Sequence, residues 1–343
     1  MKIVFEVKES GSYYDVGLRM GRLLKTAKIE GFPPKFSKET LDKGMEWERE
    51  VQKYTPELLN ELRGVAEGSG IDYRVLATFE LSPFRLQPSC LVMAISGSHT
   101  KDGYPVLARN HEWNEEASEE LTICYTKPEG KLRSFGFTFY GMFLSRFGGM
   151  NEAGLAISSA STNFVNSGSG VMLNLATRWI LDNFESTKEA VEFLKTIPKT
   201  WGTAYLLIDR DNRIAKVEAH REKTKVTYTE KGFDFVTLIF DSPEMQKYNE
   251  KSEWGKWASE IHATRKEFLS KWFAQNKGTF DNTMIINALK SHERKMCTHD
   301  YDEQAKVHYG ICWSWILSPG KSEARVCAGP PCKNKFRKFD VYG

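Results

Sequence analysis

The fold is decided at Cys90-Leu91-Val92-Met93-Ala94-Ile95, where helical periodicity ends and strand patterns begin. This apolar run is followed by a turn near residues 101–103, and a second apolar run begins at Val106. Short apolar runs bounded by turn residues are typical of buried strands. The sequence therefore predicts a β-hairpin whose first strand begins with a cysteine.

The segments on either side of this hairpin alternate between helical and strand patterns. Residues 1–89 have apolar residues at helical spacing, and residues 90–164 predict a series of antiparallel strands. Strands that cluster in hairpins favour an α+β fold over a doubly wound parallel sheet. We expect one domain over residues 1–343. The remaining predicted elements are helices at 171–194 and 250–292, strands at 204–209, 214–218, 226–241, 311–317 and 324–327, and a turn at 148–154.

Composition excludes several classes of protein. Hydrophobic residues make up 41% of the chain, which is typical of a globular protein and excludes global disorder. The 48 basic and 45 acidic residues leave a net charge of +3, so no nucleic-acid partner is expected. No run of about 18 apolar residues occurs, and the N-terminus becomes charged too early for a signal peptide. We therefore expect a soluble, cytoplasmic protein without a membrane partner, and we leave open whether it is a homo-oligomer.

The cysteines are interpreted as packing, metal-binding or catalytic residues, because six of them are too few for a disulfide scaffold. Taken alone, Cys90 would be a small buried hydrophobic residue. Its context changes this interpretation, since Arg109-Asn110-His111-Glu112 closes the second strand of the hairpin and antiparallel pairing brings Arg109 or Glu112 close to the sulfur. A neighbouring cation lowers the pKa of a thiol below about 8.5 and favours the thiolate.

These residues resemble the acyl-coenzyme A:6-aminopenicillanic acid acyltransferase family, which belongs to the N-terminal-nucleophile (Ntn) hydrolases and is related to bile-salt and penicillin V acylases. Two further segments carry the resemblance, Gly-Met-Asn-Glu-Ala-Gly-Leu-Ala-Ile-Ser at 149–158 and Ala-Gly-Pro-Pro at 328–331. The resemblance implies an αββα four-layer sandwich with antiparallel sheets. It also implies self-cleavage between Ser89 and Cys90, which would leave a helical small chain of residues 1–89 and a catalytic chain of residues 90–343.

The resemblance further implies roles around the new N-terminus. Cys90 would be the nucleophile and its own α-amino group the general base. Arg109 would help to hold the thiolate. Glu112 stands where the family usually has aspartate, and it would bind the α-amine or orient the substrate. His111 lies inside the same segment and is expected to contact the substrate.

The remaining implied site residues lie further along the chain. Asn163 would be the oxyanion-hole amide, although an ungapped count would choose Ser161. Asp241 replaces an oxyanion-hole asparagine, and an ionised carboxylate there would repel the oxyanion. It is therefore protonated, or it stabilises another group, or the alignment is displaced. His308 falls near a family arginine that has a role in processing and substrate contact.

The sequence therefore predicts a self-processing cysteine amidohydrolase or acyltransferase that acts on the amide or thioester bond of a small N-acyl compound. Two alternatives stay open. The first is an unprocessed, catalytically silent ligand-binding protein. The second is a zinc protein in which the C-terminal cysteines bind the metal and Cys90 is core. Because the spacings CxH and CxxxxC fit no zinc finger or ribbon, we expect packing, with no metal and no cofactor, for Cys297, Cys312, Cys327 and Cys332.

Overall fold

The computed structural model describes residues 5–26, 31–83, 89–114, 120–163, 167–302 and 307–342. The strands are β1 (Phe5–Gly11), β2 (Ser89–Ile95), β3 (Val106–Asn114), β4 (Leu121–Pro128), β5 (Ser134–Phe139), β6 (Gly148–Asn151), β7 (Leu155–Asn163), β8 (Gly202–Asp209), β9 (Ile214–Ala219), β10 (Thr224–Tyr228), β11 (Phe233–Val236), β12 (His299–Asp302), β13 (Val307–Ser318), β14 (Glu323–Ala328) and β15 (Arg337–Asp340). The helices are α1 (Tyr13–Thr26), α2 (Lys38–Tyr54), α3 (Glu57–Ser69), α4 (Tyr73–Leu81), α5 (Leu173–Asn183), α6 (Thr187–Thr196), α7 (Glu253–Gln275) and α8 (Asn282–Leu289).

The strands form two sheets. Sheet I has eight strands in the order β1-β4-β5-β6-β7-β8-β9-β10, and sheet II has the order β11-β2-β3-β13-β14-β15 with β12 paired to β13. Only the β1–β4 pair among the described strands is parallel. The two sheets face each other, as the stacking of Phe137 from sheet I on Trp315 from sheet II shows, with ring centroids 5.1 Å apart.

Helices cover the outer face of each sheet. Helices α5 and α6 pack on sheet I, while α7 and α8 pack on sheet II. Strand β2 shows the layering directly, because side chains alternate between the two faces of a strand. Cys90 and Val92 point into the core between the sheets, and Leu91 and Met93 point toward α7 and α8. The expected αββα arrangement with antiparallel sheets is confirmed. No helix in the described ranges is both long and apolar enough to span a bilayer.

Several element boundaries differ from the predicted ones. Residues 1–89 contain strand β1 as well as helices, because Phe5 and Val7 alternate with polar residues, at period two. The predicted strand at 226–241 is divided by Gly232, whose φ of 72° turns the chain, and its second part ends at Val236. The predicted turn at 148–154 is partly strand β6. A Cβ atom on Gly149 would lie 2.3 Å from the carbonyl oxygen of Phe135, so this glycine allows close strand pairing.

Buried charges attach the N-terminal helices to α5. Glu61 on α3 forms an ion pair with Arg178 at 3.1 Å, and Arg178 also binds Asp182 at 2.6 Å. All three side chains are fully buried, and Tyr13 on α1 donates a hydrogen bond to Asp182 at 2.9 Å. Removal of one partner from a buried ion pair costs about 3–5 kcal/mol, because it leaves an uncompensated charge. Helices α1 and α3 are therefore strongly tied to α5 in the strand-rich part of the chain.

Glu80 makes a second buried connection, between the N-terminal helices and the segment that joins β5 to β6. Its carboxylate accepts hydrogen bonds from the backbone N–H of Leu144 at 3.2 Å and from the hydroxyl of Ser145 at 2.9 Å. Burial raises the pKa of this carboxyl to about 7, despite the two hydrogen bonds that favour the charged form. The folded chain therefore binds a proton at Glu80 more tightly than the unfolded chain does.

This difference predicts how the stability of the Glu80→Gln variant depends on pH. As the pH rises from the reference pKa of 4.5 to the folded pKa of about 7, Glu80 ionises in the unfolded chain but stays protonated in the folded chain. The folded state therefore loses roughly 3 kcal/mol of stability over this range. Because glutamine is neutral at every pH, Glu80→Gln should unfold at higher denaturant concentration than the wild type at pH 8, and it should lose this advantage near pH 4.5. Exposed Glu260→Gln is the control and should change neither midpoint. An advantage of Glu80→Gln that is equal at both pH values would contradict the prediction.

Candidate active site

The hairpin of β2 and β3 brings three of the predicted site residues to one face of sheet II. Cys90 pairs with His111 and Val92 pairs with Arg109 in the antiparallel register. Paired residues, and every second residue along a strand, point to the same face of a sheet. Cys90, Arg109 and His111 therefore share the face that looks toward sheet I, and all three are buried.

Arg109 binds the sulfur of Cys90 directly. Its Nη2 donates to Cys90 Sγ at 2.6 Å, while Nη1 donates to Ser158 Oγ at 2.8 Å and to the carbonyl oxygen of Phe147. None of the described residues places a carboxylate within ion-pair distance of this guanidinium. A buried cation requires a counter-charge, so the sulfur is the group at this position that can supply one.

Two opposing effects act on the pKa of the Cys90 thiol. Burial raises this pKa, and the charge of Arg109 together with its hydrogen bond lowers it. The negative charge of Glu112 raises the pKa as well, and in the intact chain the net shift is upward. The expected thiolate-favouring effect of the cation is present, but burial outweighs it.

His111 is a neutral aromatic wall beside the thiol. Its Nδ1 lies 3.9 Å from Cys90 Sγ, and its ring stacks on Trp313 with centroids 4.1 Å apart. Phe139 and Phe147 pack edge-on against it, each at 5.4 Å. Burial, together with the nearby charge of Arg109, holds the pKa of His111 well below its usual range. The imidazole therefore lines the site as an uncharged ring.

Glu112 lies on the opposite face of β3. Its carboxylate is fully buried in an ion pair with Arg265 of α7, where Nη1 is 3.2 Å from Oε2, and it accepts a hydrogen bond from Thr298 Oγ1 at 2.9 Å. The side chain is directed toward the helix layer, away from Cys90 Sγ. Its role toward the α-amine stays a prediction. Because side chains alternate along a strand, Arg109 and His111 share one face of β3 and Glu112 lies on the other. This alternation was visible in the sequence and could have separated the two groups.

Sequence reasoning did not find Arg265. It lies 153 residues after Glu112 in the chain, and nothing in its own helix marks it as the partner of a buried carboxylate. Only the packing of α7 on sheet II brings the two together.

The predicted oxyanion donors occupy the end of β7. Ser161 pairs with Thr203 and Asn163 pairs with Gly202, so Thr162 is the extra residue of a β-bulge. Bulges re-aim the side chains that follow them and occur often beside active sites. Because of the bulge, a count of alternate residues from Ser158 does not predict the side-chain directions after Ser161. The side chain of Asn163 lies outside the described parts, so its role stays a prediction.

Asp241 is ionised and paired. Its Oδ1 lies 3.2 Å from His262 Nε2 and 2.7 Å from Lys266 Nζ on α7. The hydrogen bond from His262 and the charge of Lys266 hold the pKa of this carboxyl well below its usual range. Of the three explanations that the sequence left open, protonation of Asp241 does not fit this environment. The explanation that Asp241 stabilises another group fits, because its carboxylate contacts His262.

His308 and Ser89 take different positions along the sheet. His308 is exposed on β13, five residues before Trp313, which pairs with His111. Ser89 pairs with Glu112 at the beginning of β2, and its side chain is outside the described parts. The structure therefore brings His111 to the thiol, but leaves His308 at the far end of the neighbouring strand.

The C-terminal cysteines divide into two groups. Cys312 and Cys327 are buried in strands, and their thiols contact the carbonyl oxygens of Asn114 at 2.9 Å and Gly329 at 3.5 Å. Cys297 and Cys332 lie near each other, together with His292 and His299. Side-chain types and proximity make this second group the candidate metal site among the described residues.

Comparison with known proteins places this architecture in a family. The sequence profile described as acyl-coenzyme A:6-aminopenicillanic acid acyl-transferase matches residues 98–331, which is more than half of the chain. The chain therefore belongs to this family, and its fold is that of the Ntn hydrolases. The matched region includes Arg109 and Glu112 and begins after Cys90. No curated protein sequence matches the chain.

One solved structure shows the same fold at low sequence identity, and two others are similar to this chain more weakly. A variant of conjugated bile acid hydrolase from Clostridium perfringens superimposes with a TM-score of 0.53 and 15% identity, over 74% of this chain and 92% of that one. The Caenorhabditis elegans ortholog of N-acylethanolamine-hydrolyzing acid amidase gives 0.47 and 14%, over 67% and 93%. Penicillin V acylase from Agrobacterium tumefaciens gives 0.42 and 15%, over 70% and 82%.

The contact between Arg109 and Cys90 predicts the pH dependence of thiol alkylation. Arg109→Gln removes the charge that opposes burial, so the midpoint of the alkylation rate at Cys90 should move upward by about 1–2 pH units. The rates are measured with iodoacetamide, and the modified peptides are quantified by mass spectrometry. Cys124 is also buried and serves as an internal control in the same sample. Equal shifts at Cys90 and Cys124 would indicate a general loosening of the fold and contradict the prediction.

Proposed function

We propose that this protein is a self-processing cysteine Ntn enzyme that cleaves or transfers the acyl group of a small N-acyl compound. The observation that carries the proposal is the 2.6 Å contact between Cys90 Sγ and a buried Arg109 without a carboxylate partner among the described residues. A structural cysteine needs no cation, whereas a cation beside the sulfur stabilises a thiolate nucleophile. The position of Cys90 at the beginning of a central strand suits a residue that becomes a chain end.

The processing step uses the same thiol. Cys90 Sγ attacks the carbonyl carbon of Ser89, the peptide C–N bond breaks, and the amide nitrogen leaves as the α-amine of Cys90. Water then hydrolyses the resulting thioester, which returns the thiol and leaves a carboxylate on Ser89. The products have 89 and 254 residues. The buried ion pair of Glu61 with Arg178, and the buried Glu80, would keep the two products together.

The turnover step needs the new α-amine. A free α-amino group has a pKa of about 7.7–8.0, so it can accept the thiol proton near neutral pH and later return it to a leaving amine. The thiolate attacks the acyl carbonyl and expels that amine, which leaves an acyl-thioester on Cys90. Water or a second amine then takes the acyl group and releases the thiol. Arg109 stabilises the thiolate at the beginning and end of this cycle.

The walls of the site favour an acyl group with an apolar part. His111 is uncharged, and Phe139, Phe147 and Trp313 surround it within ring-contact distances. The description of the family names an acyl thioester as donor and an amine as acceptor. Both fit a thiol that exchanges acyl groups, so amides and thioesters are the substrates to be tested.

Processing predicts two species in a denaturing, reducing intact-mass measurement of the full-length protein. The wild type should give two chains whose masses add to the precursor plus one water, the larger beginning at Cys90. Cys90→Ala should remain a single chain of about 39.3 kDa because it lacks the attacking sulfur. Cys124→Ala, which alters another buried cysteine, should be cut like the wild type. A wild type that stays whole between pH 5 and 8, or equal cleavage of Cys90→Ala, would overturn the proposal.

The oxyanion donor can be assigned by comparing two substitutions in the processed enzyme. Loss of one oxyanion-hole donor costs about 10²–10³ in kcat. We expect a loss of this size for Asn163→Ala. Asp241→Asn should change kcat little, because Asp241 is bound by His262 and Lys266. Steady-state rates on an N-acyl amide that the wild type hydrolyses provide the measurement, and the reverse order of effects would assign the role to position 241.

A further inference from the structure

Four side chains of types that ligate metals cluster on the helix side of the hairpin that carries Cys90. His292, Cys297, His299 and Cys332 each present one ligand atom, and all four atoms lie within 4.8 Å of one another. His299 Nε2 is 3.4 Å from Cys297 Sγ and 3.1 Å from Cys332 Sγ. A tetrahedral zinc ion with the usual bond lengths holds a sulfur and a nitrogen ligand about 3.5 Å apart. The two sulfur–nitrogen distances therefore lie close to the spacing of a zinc site, and all four ligand atoms are near enough to converge on one ion.

The backbone explains how distant residues converge. After α8 the chain makes a tight turn in which the carbonyl of Ser291 accepts the N–H groups of Met296 at 3.1 Å and Cys297 at 3.0 Å, which returns Cys297 to His292. His299 then begins β12. Cys332 comes from a separate turn after β14, where the carbonyl of Pro330 accepts two backbone N–H groups. Two hydrogen-bonded turns thus hold the ligands before any metal binds.

The ligand types select the metal. Two thiolates and two imidazoles form the Cys₂His₂ set that is typical of structural zinc sites, and two thiolate charges neutralise a divalent ion. The cluster contains no carboxylate, so magnesium and calcium are poor fits. We propose that His292, Cys297, His299 and Cys332 bind one structural zinc ion. With four protein ligands the coordination is complete, so the metal does not activate water.

The site would stabilise the back of the active-site hairpin. Thr298, between two of the ligands, donates a hydrogen bond to Glu112 at 2.9 Å. The carbonyl of Met296 accepts a hydrogen bond from Asn110 Nδ2 at 2.6 Å, and that of Lys295 accepts one from Arg265 Nε at 2.8 Å. Residues 295–298 therefore contact β3 and its partner Arg265 directly. A zinc ion would fix this segment whether or not Cys90 is a nucleophile.

The proposal is tested by the metal content of the tag-free, full-length protein, purified under reducing conditions without chelator. We expect about one zinc ion per chain by elemental analysis. Cobalt(II) added to zinc-depleted protein should give the visible bands of a tetrahedral site and a sulfur-to-cobalt charge-transfer absorption. His292→Ala and Cys332→Ser should lose zinc to a chelator that the wild type resists, while Cys327→Ser should retain it.

The variants are chosen so that a folding defect is not mistaken for loss of the site. His292 is exposed, so His292→Ala should keep the fold, which circular dichroism checks. A reduced wild type with no stoichiometric zinc and no cobalt spectrum would overturn the proposal. A disulfide between Cys297 and Cys332 in a metal-free protein would overturn it as well. Neither result bears on cleavage at Cys90, since the intact-mass measurement is independent of metal content.

Discussion

The guanidinium of Arg109 is the interaction on which the rest of the site depends. It is buried between the two sheets, where it binds the sulfur of Cys90 from sheet II, Ser158 from sheet I and the carbonyl of Phe147 just before β6. A cation in this position needs neutralisation, since an isolated buried charge is very costly. The same contact therefore joins the two sheets and favours a negative charge on sulfur, so packing and chemistry are coupled at one side chain.

Strand β3 carries two different chemistries on its two faces. Arg109 and His111 face sheet I and the thiol, while Asn110 and Glu112 face α7, α8 and the segment at 295–298. The period of two along a strand separates the reactive face from the supporting face. A zinc ion behind the strand would act on the site only through backbone position, because its ligands do not reach the reactive face.

The N-terminal helices are held by buried charge as well as by apolar packing. Glu61 and Glu80 are both buried. Glu61 forms an ion pair with Arg178, and Glu80 accepts hydrogen bonds from the backbone N–H of Leu144 and the hydroxyl of Ser145. Burial of a carboxylate is costly unless it is paired or protonated. Glu61 is paired with Arg178, and burial favours the protonated form of Glu80. These contacts would hold the segment in place if the proposed cleavage after residue 89 occurs.

The sequence by itself determined the layering and the place of the thiol. Apolar runs of strand length in hairpin clusters predicted antiparallel sheets covered by helices, because local periodicity encodes strands and helices, and the family resemblance implied the four layers. Antiparallel pairing of the hairpin predicted Arg109 or Glu112 beside Cys90, and the structure brings Arg109 to the sulfur. Tertiary structure alone decided the partners of Glu112 and Asp241, the bulge at Thr162 and the convergence of His292, Cys297, His299 and Cys332. These depend on contacts between residues far apart in the chain, and the spacing of residues along a sequence has no information about which turns will meet in space.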